Sequence, residues 1–113
     1  MSRITTHVVD AVLGKPASGI AIRLERHEFD RRKAGRWAPV SASETGADGR
    51  CDLTQNATDG AYRLTFDTGE YLRRKGRATI YPEISIMFTC AADAHYHLPL
   101  LLSDNGYTTY RGS

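Results

Sequence analysis

The sequence predicts an all-β domain, folded as an antiparallel sandwich or barrel, and three observations lead to that prediction. Hydrophobic residues recur at every second position in several separate segments, which is the period of half-buried strands. Turn-forming residues, glycine above all, separate these segments at short intervals. The composition is that of a globular protein, with 41% hydrophobic and 25% charged residues among 113 positions. Such a length suits one domain with a modest core, and we assign residues 1–113 to it.

The alternation is clearest in three segments of the chain. The residues that we expect to point inward are Ile20, Ile22 and Leu24; Tyr62, Leu64 and Phe66; and Ile84, Ile86 and Phe88. The intervening residues in the first two segments are mostly polar or charged, as expected for strands with one face in the core and one in water.

One segment departs from the strand pattern. Residues 68–76 read Thr-Gly-Glu-Tyr-Leu-Arg-Arg-Lys-Gly, with a threonine suited to an N-cap, an acidic start, a basic end and a terminal glycine. These are the signals of a short helix of about two turns, and we expect it to connect two strands.

The segment His95–Leu102 is predicted to be a strand with two different faces. Tyr96, Leu98, Leu100 and Leu102 form the better core face, which leaves His95, His97, Pro99 and Leu101 outside. A proline cannot donate to a strand ladder, so we expect an edge position or irregular pairing at Pro99. The aromatic, β-prone residues 107–113 predict a final strand that ties down the chain end.

His7 and His97 are the first candidate functional residues. His7 alternates with Val8, so it faces outward if Val8 enters the core. Either histidine alone is typical of an ordinary surface position. His97, however, shares its outward face with Pro99 and Leu101, which is unusually apolar for a solvated surface. Such a face suggests a subunit interface or a shallow pocket.

Arg50 is the third candidate, because it directly follows the turn Gly46-Ala47-Asp48-Gly49. A charged residue after a hairpin turn is most often solvated. The alternative is that its planar guanidinium, with five donors, binds a flat, oxygen-rich, anionic ligand.

Several classes of function are disfavoured by composition. A net charge of +2 is too small to indicate a nucleic-acid or membrane-surface partner. The sequence has neither a long apolar span nor an apolar signal core near residue 1, so we expect a cytoplasmic protein. Cys51 and Cys90 lack zinc-site spacing, and His95-x-His97 with His7 is weak as a metal motif, so we expect no metal.

The same residues resemble a known family. The run His95-Tyr96-His97-Leu98-Pro99-Leu100-Leu101-Leu102-Ser103, followed by a Tyr110-Arg111-Gly112-Ser113 ending, is similar to the 5-hydroxyisourate hydrolases, transthyretin-related enzymes of urate breakdown. His7-Val8-Val9-Asp10 and Ala47-Asp48-Gly49-Arg50 match two of their other motifs. The resemblance spans nearly the whole chain, and Asp104-Asn105 departs from it in the last turn.

The resemblance implies a transthyretin-like sandwich of two four-stranded sheets with one short helix, assembled as a homotetramer that is a dimer of dimers. It also implies hydrolysis of 5-hydroxyisourate without a cofactor, in a channel between dimers. The catalytic residues that it implies are His7, Arg50, His97 and Ser113, with Tyr110 as a further substrate-binding residue. It leaves open which histidine is the base and which the acid.

Two other readings remain alongside the hydrolase. A transthyretin-like carrier of a small aromatic ligand would have the same fold, and an oligomerisation domain without chemistry would need only the sandwich. Two titratable imidazoles and an arginine on one face favour the hydrolase, because neither alternative requires them.

Overall fold

The computed structural model describes residues 1–30 and 33–112, and within those ranges the chain forms nine strands and one short helix. The strands are β1 (Ser2–Asp10), β2 (Lys15–Pro16), β3 (Ala21–Asp30), β4 (Lys33–Glu44), β5 (Arg50–Ala57), β6 (Gly60–Phe66), β7 (Ile84–Cys90), β8 (His95–Ser103) and β9 (Gly106–Thr109). The helix, α1 (Thr68–Arg74), connects β6 to β7. The predicted all-β class with one short helix is confirmed.

The strands form two separate sheets, so the fold is a sandwich. The second sheet has the order β4-β3-β6-β7 and is antiparallel throughout. In the first sheet, β1 pairs with β8 along one edge and with both β5 and the two-residue β2 along the other, and β9 follows β8. That sheet therefore has five strands, one more than the resemblance implies, although it is only four strands wide because β2 and β5 share one edge of β1. The predicted antiparallel pairing is found in the other strand pairs of the described residues, whereas β1 and β8 run parallel.

The core lies between the two sheets and is built from the alternating residues of the strands. Ile20, Ile22, Leu24, Tyr62, Leu64 and Phe66 are each at most 1% exposed. In β7, Ile84 is buried, and Ile86 and Phe88 pack partly buried against the same core. Removing this apolar surface from water is the main stabilising contribution to the fold. The predicted inward faces of all three segments are confirmed.

Helix α1 differs from its prediction in one detail. The N-cap residue is Asp67, without a capping hydrogen bond from its side chain, and Thr68 is the first helical residue. Thr68 is buried with Tyr71 and Leu72 on the face that packs against the protein, so the threonine does not cap the helix. Gly76 follows the helix with a φ of +70°, a left-handed conformation that glycine adopts readily. No helix in the described part of the chain is long and apolar enough to cross a membrane.

A buried carboxylate connects β1 to the helix and to the last hairpin. Asp10 is completely buried and accepts hydrogen bonds from the hydroxyl of Tyr71, the backbone N–H of Leu13 and the guanidinium of Arg77. Burial raises the pKa of Asp10, but the hydrogen bonds from Arg77, Leu13 and Tyr71 outweigh it and lower the pKa overall. Arg77 also binds Asp104 at 2.6 Å. The residue that departs from the family resemblance thus anchors the β8–β9 turn.

Candidate active site

Pairing in the first sheet brings His7, Arg50 and His97 onto one outward face. His7 lies directly across from Arg50 on β5 and from Pro99 on β8. His97 lies across from Thr5, which is two residues before His7 on β1 and points to the same side. Val8 is fully buried and His7 is half-buried, so the predicted outward orientation of His7 is confirmed.

The turn before β5 fixes the position of Arg50. Gly49 has a φ of +77°, and its carbonyl accepts a 2.8 Å hydrogen bond from the N–H of Val8. A Cβ at position 49 would lie only 2.4 Å from the carbonyl oxygen of Val8, so only glycine fits here. The backbone N–H of Arg50 donates to Oδ1 of Asp48 at 3.0 Å. The backbone is thereby held, while the guanidinium stays exposed and able to bind a ligand.

A cavity of about 370 Å³ opens on this face, within the size range of small-molecule sites. It is lined by Arg3, Thr5, Thr6, Arg50, Asp52, His95 and His97. Two of the three predicted catalytic residues that the structure describes, Arg50 and His97, therefore line one cavity. His7 stands in the next row of the sheet, beside Arg50.

His97 is held in its neutral form by its surroundings. Burial lowers the pKa of the imidazole below its usual 6.5, and electrostatic repulsion from His95, Arg50, His7 and Arg3 lowers it further. A neutral imidazole near pH 7 has a free lone pair on one ring nitrogen, so it can accept a proton from water.

The chain end packs against His97, after an interruption at Pro99. Pairing of β8 with β9 runs from Ser103 to Leu100, stops at Pro99 and resumes as a bridge between His97 and Gly112. The predicted irregularity at Pro99 is therefore present, although β8 is an interior strand and not an edge. Arg111 stacks over the ring of Tyr96 with its Cζ 4.4 Å from the ring centroid. The predicted attachment of the chain end is confirmed as far as Gly112, but the strand predicted over residues 107–113 is shorter, because β9 ends at Thr109 and only a bridge follows.

The remaining two predicted site residues belong to that chain end. Tyr110 is 53% exposed and is not among the residues that line the cavity of the single chain. Ser113 lies outside the described residues.

Thr5 and His95, which were not predicted as site residues, also line the cavity. Thr5 is 4% exposed, and its Oγ1 lies 2.7 Å from Nε2 of His95 and 2.7 Å from Nδ1 of His97. The alternation of β1 places Thr5 on the face of His7, and that signal was available. What sequence could not supply is the parallel pairing that sets Thr5 against His97.

Taken together, the architecture and the site define a transthyretin-like β-sandwich with a titratable, cationic outer face on one sheet. The chain belongs to the HIUase/Transthyretin family, whose model matches residues 4–112.

Both hydrolases and transthyretins are among its relatives. The 5-hydroxyisourate hydrolase of Mus musculus is 41% identical over 99% of this chain and 96% of its own. The structure of Klebsiella pneumoniae 5-hydroxyisourate hydrolase aligns with a TM-score of 0.84 and 32% identity, covering 98% of this chain and 99% of that one. Sea bream transthyretin in complex with thyroxine aligns with a TM-score of 0.89 and 29% identity, covering 96% and 93%. Backbone similarity to this chain therefore does not separate the hydrolases from the transthyretins.

Proposed function

We propose that this protein is a 5-hydroxyisourate hydrolase that opens the six-membered ring of its substrate at an amide bond. The product is 2-oxo-4-hydroxy-4-carboxy-5-ureidoimidazoline, and the reaction belongs to urate catabolism. The observation that carries the proposal is the convergence of His7, Arg50 and a neutral His97 on one outward face. Relatives that carry the hydrolase name cover nearly the whole chain.

The two histidines supply the proton transfers that amide hydrolysis requires. In the first step one imidazole accepts a proton from water as the water oxygen attacks the ring carbonyl carbon. In the second step the carbon–nitrogen bond breaks and the leaving nitrogen receives a proton. The pKa of His97, lowered by burial, suits acceptance of the first proton. Water and these side chains complete the reaction, so we assign it no metal and no organic cofactor.

Arg50 stabilises the negative charge that develops on the carbonyl oxygen. Its guanidinium carries several donors in one plane, which suits a flat substrate rich in oxygen. A single well-placed donor to such an oxyanion is worth about 3 kcal/mol of transition-state stabilisation. The rigid turn that holds its backbone limits where the guanidinium can reach.

The chain end completes the site in a homotetramer that is a dimer of dimers. Leu101 is a large hydrophobic residue that stays exposed on this face in the single chain, and Tyr110, two residues before the Gly112 bridge to His97, is exposed as well. A second copy would cover them and convert the open cavity into a channel. Tyr110 and Ser113 would then close the pocket and donate hydrogen bonds to the substrate ring. The cytoplasmic location remains a prediction from the sequence.

A ligand carrier is the second candidate, because the thyroxine-bound transthyretin aligns so well. The two candidates differ in turnover. A carrier binds at most one equivalent of ligand per site, whereas an enzyme consumes many equivalents of substrate.

The test is to generate 5-hydroxyisourate from urate with urate oxidase and follow its decay by ultraviolet absorbance with the protein far below substrate concentration. We expect decay faster than the spontaneous rate through many turnovers. Decay at the spontaneous rate, or a depletion that stops at one equivalent, would refute the hydrolase and favour the carrier.

A further inference from the structure

Thr5 places one hydroxyl between two imidazoles. Its Oγ1 is 2.7 Å from Nδ1 of His97 and 2.7 Å from Nε2 of His95, and the two rings have centroids 5.9 Å apart. Thr5 is almost fully buried, whereas His95 is exposed to solvent. A single hydroxyl thus connects the interior imidazole of the site to one at the surface.

The hydroxyl has one proton, so it can donate to only one of the two rings. In the first arrangement Nδ1–H of His97 donates to Thr5, and Thr5 donates to Nε2 of His95. Nε2 of His97 then has its lone pair free. In the second arrangement Nε2–H of His95 donates to Thr5, and Thr5 donates to Nδ1 of His97. Nε2 of His97 then carries the proton and cannot act as a base.

We propose that Thr5 and His95 are positioning residues that hold His97 in the tautomer with a free Nε2, which makes His97 the base that accepts the proton of the attacking water. This inference rests on the proposed hydrolase function and assigns, within it, the role that the sequence leaves open. Nδ1 is engaged by Thr5, so Nε2 is the ring nitrogen left for water. His7 is then the residue that donates a proton to the leaving nitrogen.

Only the first arrangement leaves Nε2 of His97 able to accept a proton, and the surroundings keep the ring neutral near neutral pH. The titratable and charged groups that face His97 are Arg3 and His7 on β1, Arg50 and Asp52 on β5, and His95 on its own strand. From the chain end, Gly112 contacts the ring and Arg111 stacks on Tyr96. This mostly positive set disfavours a proton on both nitrogens of His97, so the ring stays neutral and its tautomer decides its function.

Variants at exposed position 95 test the hydrogen-bond direction without disturbing the core. His95→Gln supplies a side-chain oxygen that can accept from Thr5 in place of Nε2 of His95. We expect kcat near that of wild type. His95→Leu removes the acceptor, so Thr5 turns to Nδ1 of His97. We expect kcat to fall about 100-fold with KM little changed.

Variants at Thr5 supply the second test, with a buried threonine of the second sheet as the matched control. Thr5→Ser retains the hydroxyl and should keep most of the activity, whereas Thr5→Val removes it and should lose about 100-fold in kcat. Thr65→Val also removes a buried threonine hydroxyl, one that lies 3.0 Å from the hydroxyl of Ser85 in the second sheet. This control should lower thermal stability but leave kcat largely intact.

A spectroscopic readout separates this inference from the proposed function. In ¹⁵N-labelled wild type, NMR should show the proton of neutral His97 on Nδ1, and in His95→Leu it should move to Nε2. The inference is overturned if the tautomer is Nε2–H in wild type, or if His95→Leu and His95→Gln have equal kcat. If the NMR results are as expected but wild type does not accelerate decay of 5-hydroxyisourate, the proposed function fails while the tautomer assignment stands.

Discussion

Gly112 lies against the imidazole of His97 so closely that no side chain fits between them. Its N–H donates to the carbonyl oxygen of His97 at 2.7 Å. A Cβ at position 112 would lie 2.7 Å from Cδ2 of the ring. The backbone of the chain end thus forms one wall of the space that His97 occupies. This wall and Thr5 approach the ring from different parts of the chain, which restricts its orientation.

Gly112→Ala is expected to displace the ring of His97 or to detach the chain end. A shift of about 1 Å in a catalytic group can cost about 100-fold in rate, so we expect kcat to fall between about 10- and 100-fold. The measurement is steady-state kinetics of 5-hydroxyisourate decay. Gly106→Ala is the matched control, because its Cβ would meet only the Ser103 side chain, at 3.3 Å. Equal activity of the two variants would show that this contact does not position His97.

The pH dependence of kcat/KM should reflect the lowered pKa of His97. Burial and neighbouring positive charges keep the imidazole neutral below its usual pKa of 6.5, so activity should persist into mildly acidic solution. The measurement is kcat/KM between about pH 5 and pH 8. An acid limb centred above 6.5 would contradict a desolvated His97 as the base. Because its folded pKa lies below the unfolded value, His97 also makes folding less favourable as the pH falls below 6.5.

Tyr110→Phe should weaken substrate binding more than it slows the chemical step. The phenolic hydroxyl is proposed to donate a hydrogen bond to the substrate, a neutral contact worth about 1 kcal/mol, so KM should rise about fivefold. Tyr107→Phe is the control, since Tyr107 is 46% exposed in the same hairpin region. Equal KM values for the two variants would show that the hydroxyl of Tyr110 does not bind the substrate.

Asp10→Asn should destabilise the fold without a direct effect on the site. It leaves Arg77 without its buried carboxylate partner, which costs about 3 kcal/mol in the free energy of unfolding. Glu70→Gln, which breaks an exposed pair with Arg73, should cost less than about 1 kcal/mol. Urea unfolding at neutral pH measures both.

The destabilisation in Asp10→Asn should also depend on pH. The folded pKa of Asp10 lies below 3.8, so its contribution is complete above that value and is lost as the pH falls through the folded pKa. The difference between wild type and Asp10→Asn should therefore shrink in strong acid. A difference that is constant with pH would mean that packing, and not the charge, is what the variant removes.

The strands and the outward direction of the histidines were predictable, because alternation is a local property of the chain. His7 beside Val8 and His97 beside Leu98 follow from the two-residue period alone. The site itself depends on which strands become neighbours. The parallel pair of β1 with β8 joins residues about 90 positions apart, and only this pairing sets Thr5 beside His97.

Two further features could not be predicted from the sequence, for different reasons. The role of Asp104 depends on Arg77, which follows the helix and binds the carboxylates of Asp10 and Asp104 at once. Arg50 was selected in part through the family resemblance, since a charge after a turn has no distinctive local pattern. Its pairing with His7 became visible only with the register of β1 and β5.

The most direct test of the central claim is to compare the catalytic rate of wild type with His97→Ala and Arg50→Ala in the coupled urate oxidase assay. Matched controls are His27→Ala and Arg73→Ala, which remove the same residue types from the other sheet and from the helix. We expect wild type and both controls to turn over many equivalents of 5-hydroxyisourate, and each site variant to lose about 100-fold or more in kcat/KM. Site variants as active as their controls would show that this face of the sheet is not where the reaction takes place.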